Sequence, residues 1–298
     1  MQILRRDVRF ALPPEHICDW HAQGPAVTQL FNAMSLLFPA GERFFMDAVR
    51  HYRDRVTDPE LDQQVAGFIG QEAMHTREHI EYNDLLDRAG LPAFKLDALN
   101  WAFVAKMRSI FSPRRQLAAT MALEHYTAML ANMVLKDPQR MVGGEAAYMH
   151  VWQWHAIEET EHKSVAFDVW RAAFKPSLYG YFVRCSAMLT CSLTFWSMLF
   201  GFHLTLLRHY RRQTGKLGLD NLWRLVKFIW GPKGMIPSMA GDWLAYFRPG
   251  FHPWQHDNHA DLAQISALLE RVEQANQAHA PQAAPRRVPL HPDAHAVA

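Results

Sequence analysis

Residues 155–162 read His155-Ala156-Ile157-Glu158-Glu159-Thr160-Glu161-His162, and the placement of this octet decides the fold. An α-helix turns about 100° per residue, so positions four and then three apart share a face. His155, Glu159 and His162 therefore fall within roughly 60° of arc. Glu158 lies at the edge of that arc and Glu161 points away from it. Three ligand-type side chains on one helical face need complementary groups on other elements. The chain supplies them upstream, as Glu42 in Gly41-Glu42-Arg43-Phe44-Phe45, Glu72 and His75 in Glu72-Ala73-Met74-His75, and Glu124 in Ala122-Leu123-Glu124-His125-Tyr126. Read as Glu, Glu-x-x-His, Glu, Glu-x-x-His on four helices, the order is that of a two-metal carboxylate site inside a four-helix bundle.

Caps and breakers place the motifs on separate helices without reference to the motifs themselves. A helical pattern starts near Pro25 and runs through Leu37, and Pro39-Ala40-Gly41 interrupts it. A second stretch runs from Glu42 to about Val56. Thr57-Asp58-Pro59-Glu60 opens a third, with a capping residue followed by an early proline, and Ala89-Gly90-Leu91-Pro92 stops it after Arg88. A further helix spans roughly 114–135, between Ser112-Pro113 and Lys136-Asp137-Pro138. Another follows Gly143-Gly144, from about Glu145 to Phe174, ahead of Lys175-Pro176. Period-2 alternation is almost absent, so no strands are expected. The expected fold class is all-α: a four-helix bundle with a dinuclear metal site plus additional C-terminal apolar helices. The expected organisation is an irregular lead-in over 1–23, the bundle over 24–175, an apolar helical extension over 176–275 and a disordered tail over 276–298, where Ala, Pro, His and Arg dominate.

Bulk composition narrows the function classes. With 298 residues, 49% hydrophobic and 20% charged, the chain has the length and mix of a folded protein. A net charge of +2, with no long basic run interleaved with aromatics, gives no sign of a nucleic-acid partner. Cys18, Cys185 and Cys191 do not make a disulfide framework and read as free thiols in a reducing, cytoplasmic compartment. The first residues lack the apolar run and small-residue cleavage site of a signal peptide.

The ligand-type residues point to metal chemistry on energetic grounds. Burying several carboxylates together is very costly unless cations neutralise them. Two divalent cations bridged by glutamates meet that requirement. Mixed oxygen and imidazole donors without thiolate suit two iron ions, with manganese as an alternative and zinc less suited. One Glu-x-x-His alone is ordinarily a solvated helix face. Two of them, each accompanied by a Glu on an intervening helix, are far harder to obtain by chance. His79 and His125 read as ordinary hydrogen-bonding or supporting partners. Trp152, Trp154, Phe44, Phe45 and Tyr126 read as core or pocket lining. His252, His256 and His259 have helical spacing, but Pro253 between them favours a structured loop over a second metal site.

These residues resemble known families. The order Glu42, Glu72-x-x-His75, Glu124, His155-x-x-x-Glu159-x-x-His162 resembles the ferritin-like di-iron oxygenases. The extra His155, one turn before Glu159, is similar to the p-aminobenzoate N-oxygenase branch, in which seven protein ligands include three histidines. That resemblance covers about 40–170. It implies that Glu42, Glu72 and His75 serve one iron, that Glu124, His155, Glu159 and His162 serve the other, and that Glu72 and Glu159 bridge. It also implies dioxygen-dependent oxidation of a bound substrate, with electrons from an external donor, since no nucleotide-binding Gly-rich turn is present. The wording Phe38-Pro-Ala-Gly-Glu42-Arg-Phe-Phe45, Phe68-Ile-Gly-Gln-Glu72-Ala-Met-His75, Glu158-Glu159-Thr-Glu-His162-Lys-Ser-Val-Ala-Phe-Asp168 and Arg248-Pro-Gly-Phe-His252-Pro-Trp254 resembles a bacterial family labelled predicted metal-dependent hydrolase, over about 10–265. Three function classes follow as expectations: an oxygenase or hydroxylase, a metal-dependent hydrolase using a metal-activated water, and a non-catalytic ferritin-like iron binder.

One apolar stretch bears on substrate and location. From Cys185 to Leu207 there is no Lys, Arg, Asp or Glu, and Arg184 and Arg208 bracket it. Its length suffices for a bilayer-spanning helix. Ser186, Thr190, Thr194, Ser197, Gly201 and Thr205 form a small-residue stripe that lets another helix approach closely. The stretch reads either as a membrane-associated helix or as a helix packed on the bundle or at a homodimer interface. Beside a metal site, it suggests a small hydrophobic substrate.

Overall fold

Helices begin where the sequence supplies caps and prolines. The structure, a computed structural model, describes residues 2–137 and 140–278. The expected disordered tail lies outside the described residues from His279 onward, and 276–278 end a helix. The helices are α1 (Pro25–Ser35), α2 (Phe38–Arg50), α3 (Pro59–Arg88), α4 (Ala93–Ile110), α5 (Pro113–Lys136), α6 (Ala146–His162), α7 (Val165–Ala173), α8 (Leu178–Thr214), α9 (Leu219–Trp230), α10 (Met235–Ala245), α11 (His259–Leu262) and α12 (Ile265–Ala278). No strand occurs among the described residues. Asp58 caps α3 by accepting from the Glu60 amide at 2.9 Å, with Pro59 in the first turn. Gly90, at φ 79°, ends α3 in the left-handed conformation that favours glycine.

Four helices close a bundle. α2 packs on α3, α5 packs on α6, and the two pairs join through α2 against α5 and α3 against α6. Every helix that carries a ligand-type residue is one of these four. α8 crosses the outside of the bundle against α1 and α5, and α12 lies on α6. A continuous buried cluster runs from Phe31 on α1 through Phe68 and Trp154 in the bundle to Met188, Leu206 and Phe228 in the C-terminal helices. Each such fully buried large side chain contributes roughly 1.5–3 kcal/mol relative to exposure. The lead-in is irregular apart from one short turn at Pro14–His16, yet Ile3, Phe10, Leu12, Ile17 and Trp20 are buried. It crosses α3 at Gly67, where a Cβ would overlap the Ile3 carbonyl.

Several boundaries differ from the sequence expectation. Pro39 does not interrupt a helix. It occupies the first turn of α2, which starts at Phe38, because a proline there lacks an amide the helix would leave unpaired anyway. The stretch between Pro92 and Ser112, for which no element was expected, forms α4. The single helix expected from Glu145 to Phe174 breaks into α6 and α7 at Lys163-Ser164. Lys163 Nζ donates to His256 O at 2.7 Å and Asn258 Oδ1 at 2.8 Å, and Trp254 Nε1 donates to Ser164 Oγ at 3.1 Å. The break is thus held by a distant loop and carries no local sequence signal. The apolar stretch 185–207 is the middle of the longer α8, and the end of the expected helical extension is two helices, α11 and α12.

Candidate metal centre

The seven ligand-type residues of the sequence are all buried, with Glu42 and Glu124 at 1%, Glu159 at 2%, His155 at 4% and Glu72, His75 and His162 at 0% exposure. Ligand atoms of Glu72, His75, Glu159 and His162 all lie within 4.8 Å of one another. Those of Glu42, His79 and His155 form a second group within the same distance. Glu159 connects the two, its Oε1 lying 2.9 Å from His155 Nε2, 3.6 Å from His75 Nδ1 and 3.9 Å from His162 Nε2. Glu124 falls outside both groups, and its Oε2 lies 3.2 Å from His162 Nδ1. The structure therefore groups these residues differently from the half-sites implied by the oxygenase resemblance.

Electrostatics make the centre costly without cations. Burial pushes Glu42 up to about 8 and Glu124 up to about 7. Burial, then the charges of Glu159, Glu124 and Glu42, raise Glu72 well above the usual carboxylate range. Burial would lower His75, but Glu158 and Glu159 outweigh it and hold the imidazole at about 10. Burial would raise Glu159, but His162, His155 and His75 hold it well below its ordinary value. Burial and the neighbouring His75 depress His155 to about 4.

The polar atoms facing the centre lack partners. Glu42 Oε1, both Glu72 carboxylate oxygens, His75 Nδ1, Glu124 Oε1, His155 Nε2, Glu159 Oε2 and His162 Nε2 are buried without a hydrogen bond among the described residues. Each of the seven residues contributes at least one such atom. His155 Nε2 is near Glu159 but misaligned for a hydrogen bond. Buried polar groups are almost always paired, so unpaired oxygen and imidazole atoms converging on one space fit two divalent cations.

The remaining atom on each imidazole is fixed from behind. Asn83 Nδ2 donates to Ser35 O at 3.1 Å, so its Oδ1 accepts from Ser35 Oγ at 2.7 Å. Ser35 Oγ then accepts from His79 Nδ1 at 2.9 Å, and His79 Nε2 accepts from His155 Nδ1 at 2.8 Å. His155 Nε2 is left bare and directed at the centre. His79, read from the sequence as a supporting partner, is within ligand range of the centre, but both its nitrogens are engaged in this relay. Glu158 performs the same task for His75, with Oε2 at 3.1 Å from Nε2. Arg6 neutralises that outer layer, reaching Glu158 at 3.0 Å and Glu161 at 2.6 Å. Gln71 donates to Glu161 at 2.7 Å. No local pattern marks Arg6 or Gln71, which belong to an irregular segment and to a face set by packing.

Among the described residues, the other histidines singled out from the sequence do not join the centre. His125 Nε2 pairs with Asp242 O at 2.9 Å. His252, His256 and His259 pair with three different aspartates, Asp168, Asp242 and Asp257. Cys18, Cys185 and Cys191 are free.

A cavity of about 630 Å³ reaches the centre from α2, α4, α5 and α8. That is within the roughly 300–1,000 Å³ of small-molecule sites. Its wall is overwhelmingly apolar and aromatic. Glu42 belongs both to this wall and to the second ligand group. Phe38 also lines the cavity and sits with its ring 4.6 Å from that of His155.

No curated protein and no solved structure matches the chain. Residues 4–257 match one protein family, and the chain belongs to it: the family described as predicted metal-dependent hydrolase.

Proposed function

We propose that the chain is a two-cation enzyme acting on an apolar organic substrate. The observation that carries this reading is Glu42, a candidate ligand that is also part of the wall of an apolar cavity. Glu42, Glu72, His75, Glu124, His155, Glu159 and His162 would hold the cations. When bound, they would supply Lewis acidity at a substrate oxygen or activate a water. The protein groups do the rest. Thr76 Oγ1 donates to Glu42 Oε2 at 2.8 Å and leaves Oε1 available. The Ser35–His79–His155 relay orients the His155 lone pair. Phe38, Phe44 and Phe45 exclude bulk water from the inner end of the cavity.

Hydrolysis is the reaction favoured by the family description. Oxidation is the second reading, and a specific feature favours it: an all-Glu/His donor set drawn from four bundle helices, as in the ferritin-like di-iron oxygenases. Oxidation would require dioxygen and an external electron donor. The test is to load the protein with Fe(II), Mn(II) or Zn(II) and to supply long-chain esters and the corresponding unfunctionalised chains, with and without oxygen. Ester cleavage that persists under anaerobic conditions supports hydrolysis. Oxygen uptake matched to an oxidised product, dependent on a reductant, supports the second reading. Turnover of neither class at any metal loading overturns both.

A further inference from the structure

The cavity has one charged group besides Glu42. Arg115 lines it from the first turn of α5, and it is exposed whereas Glu42 is buried. The cavity therefore runs from a cationic mouth to a metal-centre end, through an apolar barrel of residues such as Phe103, Met107, Leu123 and Phe195. Phe111, Tyr179 and Phe182 share the mouth and are solvent-exposed. Arg115 forms no ion pair among the described residues, and the N-terminal end of α5 adds positive potential there. A guanidinium without a carboxylate partner, at the rim of an oily tunnel, is matched by an anion attached to an apolar chain.

We infer that the substrate is a single-chain amphiphile whose anionic head rests on Arg115 and whose hydrocarbon chain extends toward Glu42. This deepens the proposed function and rests on the cavity being its substrate site. The head position also bears on chemistry, because the bond cleaved, or the carbon oxidised, would then be remote from the anionic head.

The test measures binding, not turnover, on the full-length protein as purified. Hexadecanoate, hexadecanol and shorter homologues of each compete against a fluorescent fatty-acid analogue. Each added methylene should tighten binding about fourfold until the cavity is filled. Arg115→Gln should weaken the carboxylates roughly tenfold and leave the alcohols within about twofold. Ala187→Phe, which narrows the cavity from α8, should reject the longest chains first while Arg115 still discriminates the head. Equal weakening of acids and alcohols by Arg115→Gln, or no dependence on chain length, overturns the inference. So does acid binding that follows metal content and ignores Arg115, because the head would then sit at the centre. Binding as expected with no turnover leaves this inference standing and sinks the proposed reaction.

The stretch from Arg208 to Lys233 is a separate feature. It holds seven Lys or Arg and one acidic residue, Asp220, for a net +6 in a chain whose total is +2. Within it, α9 buries Leu225, Phe228 and Ile229 and leaves Leu219, Trp223 and Trp230 exposed at 84%, 58% and 60%. Lys227 Nζ lies over the Trp223 ring at 5.3 Å. Exposed tryptophans among exposed cations are the composition of an interfacial helix on an anionic bilayer. α8, which delivers the chain to this stretch, is long and apolar enough to cross a membrane, and only 22% of its most apolar window is buried.

We propose that α9 and the basic end of α8 dock the protein on an anionic lipid surface. Co-sedimentation of the full-length protein with vesicles of phosphatidylcholine, alone or mixed with phosphatidylglycerol, tests it. Binding should require phosphatidylglycerol and fall with added salt. Arg224→Glu with Lys227→Glu should weaken it by more than about tenfold. Trp223→Ser with Trp230→Ser should also weaken it, and the buried face of α9 is untouched by either pair. The proposal is overturned if the protein stays in solution with anionic vesicles at low salt, or if both double variants bind as well as the parent. It is equally overturned if light scattering shows a dimer that the tryptophan variant dissociates, because a second copy would then be the occupant.

Discussion

His75 Nε2 lies 3.1 Å from Glu158 Oε2, and both side chains are fully buried. The contact turns the other ring nitrogen, Nδ1, toward Glu159 at 3.6 Å. Glu158 was placed at the edge of the helical arc by geometry alone, and it is the residue that orients a candidate ligand. Glu158→Gln preserves shape but removes the charge that supports the imidazole. Removal of such outer partners typically weakens metal affinity about 10–100-fold. Metal titration of the variant, with unchanged helical content, is the check. An unchanged affinity would show that Glu158 serves Arg6 alone.

The Ser35–His79–His155 relay makes a second prediction. Ser35→Ala deletes the acceptor for His79 Nδ1, so the relay can reverse its proton order and place a proton on His155 Nε2. The expected outcome is about tenfold weaker metal binding with little loss of stability. Asn83→Leu should act in the same direction, because Asn83 fixes the direction of the hydroxyl. A normal metal affinity in both variants would mean that another contact sets the His155 tautomer.

Chelation should lower the melting temperature, and restoring the cation should raise it. Without metal, the seven residues leave buried oxygens and nitrogens unpartnered, and burial and the charges of Glu159, Glu124 and Glu42 oppose ionisation of Glu72. Linkage gives roughly 4 kcal/mol of stabilisation when free metal is a thousandfold above its Kd. Glu72→Gln replaces a carboxyl whose ionisation burial and the neighbouring charges oppose. It should raise the stability of the chelated protein while weakening metal binding. A variant less stable than the parent under chelation would contradict this argument.

Acid should destabilise the fold through buried histidines that are not part of the metal centre. Burial holds His203 down at about 4, where its Nε2–H donates to Ala26 O at 3.0 Å. Burial likewise holds His21 at about 4. A histidine whose folded value is below its unfolded value of about 6.5 makes its full contribution above pH 6.5, and the contribution is lost as pH falls toward 4. For His203 the loss is on the order of 3 kcal/mol at the acid end. Urea unfolding of the parent and of His203→Gln at pH 7, 6 and 5 should show a shallower pH slope in the variant. Parallel slopes would remove His203 from the acid limb.

The crossing of the lead-in over α3 depends on Gly67. Gly67→Ala forces the Ile3 backbone away and should cost about 1–3 kcal/mol. Because the same segment carries Arg6, the variant should also weaken metal binding modestly. Destabilisation without any change at the centre would show that Arg6 is held independently of the crossing.

The bundle was legible because its signals are local. Asp58-Pro59, Ser112-Pro113 and Gly143-Gly144 mark helix starts whatever surrounds them, and the 3.6-residue period assigns His155, Glu159 and His162 to one face. α4 was missed because its weak apolar pattern lacks a strong opening cap, and Pro92 stands in that position. His79 was undervalued because a histidine one turn beyond His75 has two ordinary uses on a helix. Only the positions of Ser35 and Asn83 show which use it has.

The sequence by itself determined which side chains could meet, since covalent spacing and helix geometry fix the faces of α2, α3, α5 and α6. It also indicated that these faces meet, because carboxylates set among apolar residues on a helix face are costly to bury unless other such groups and cations join them. Tertiary structure alone decided the order inside the centre: Glu159 as the shared residue, Glu124 as the partner of His162, Arg6 arriving from an irregular segment, and Arg115 at the far end of the Glu42 cavity. The physical reason is range. Helix faces follow from neighbours three and four residues apart, whereas the contacts that orient a ligand or close a cavity join groups separated by up to 155 positions, and no local pattern encodes them.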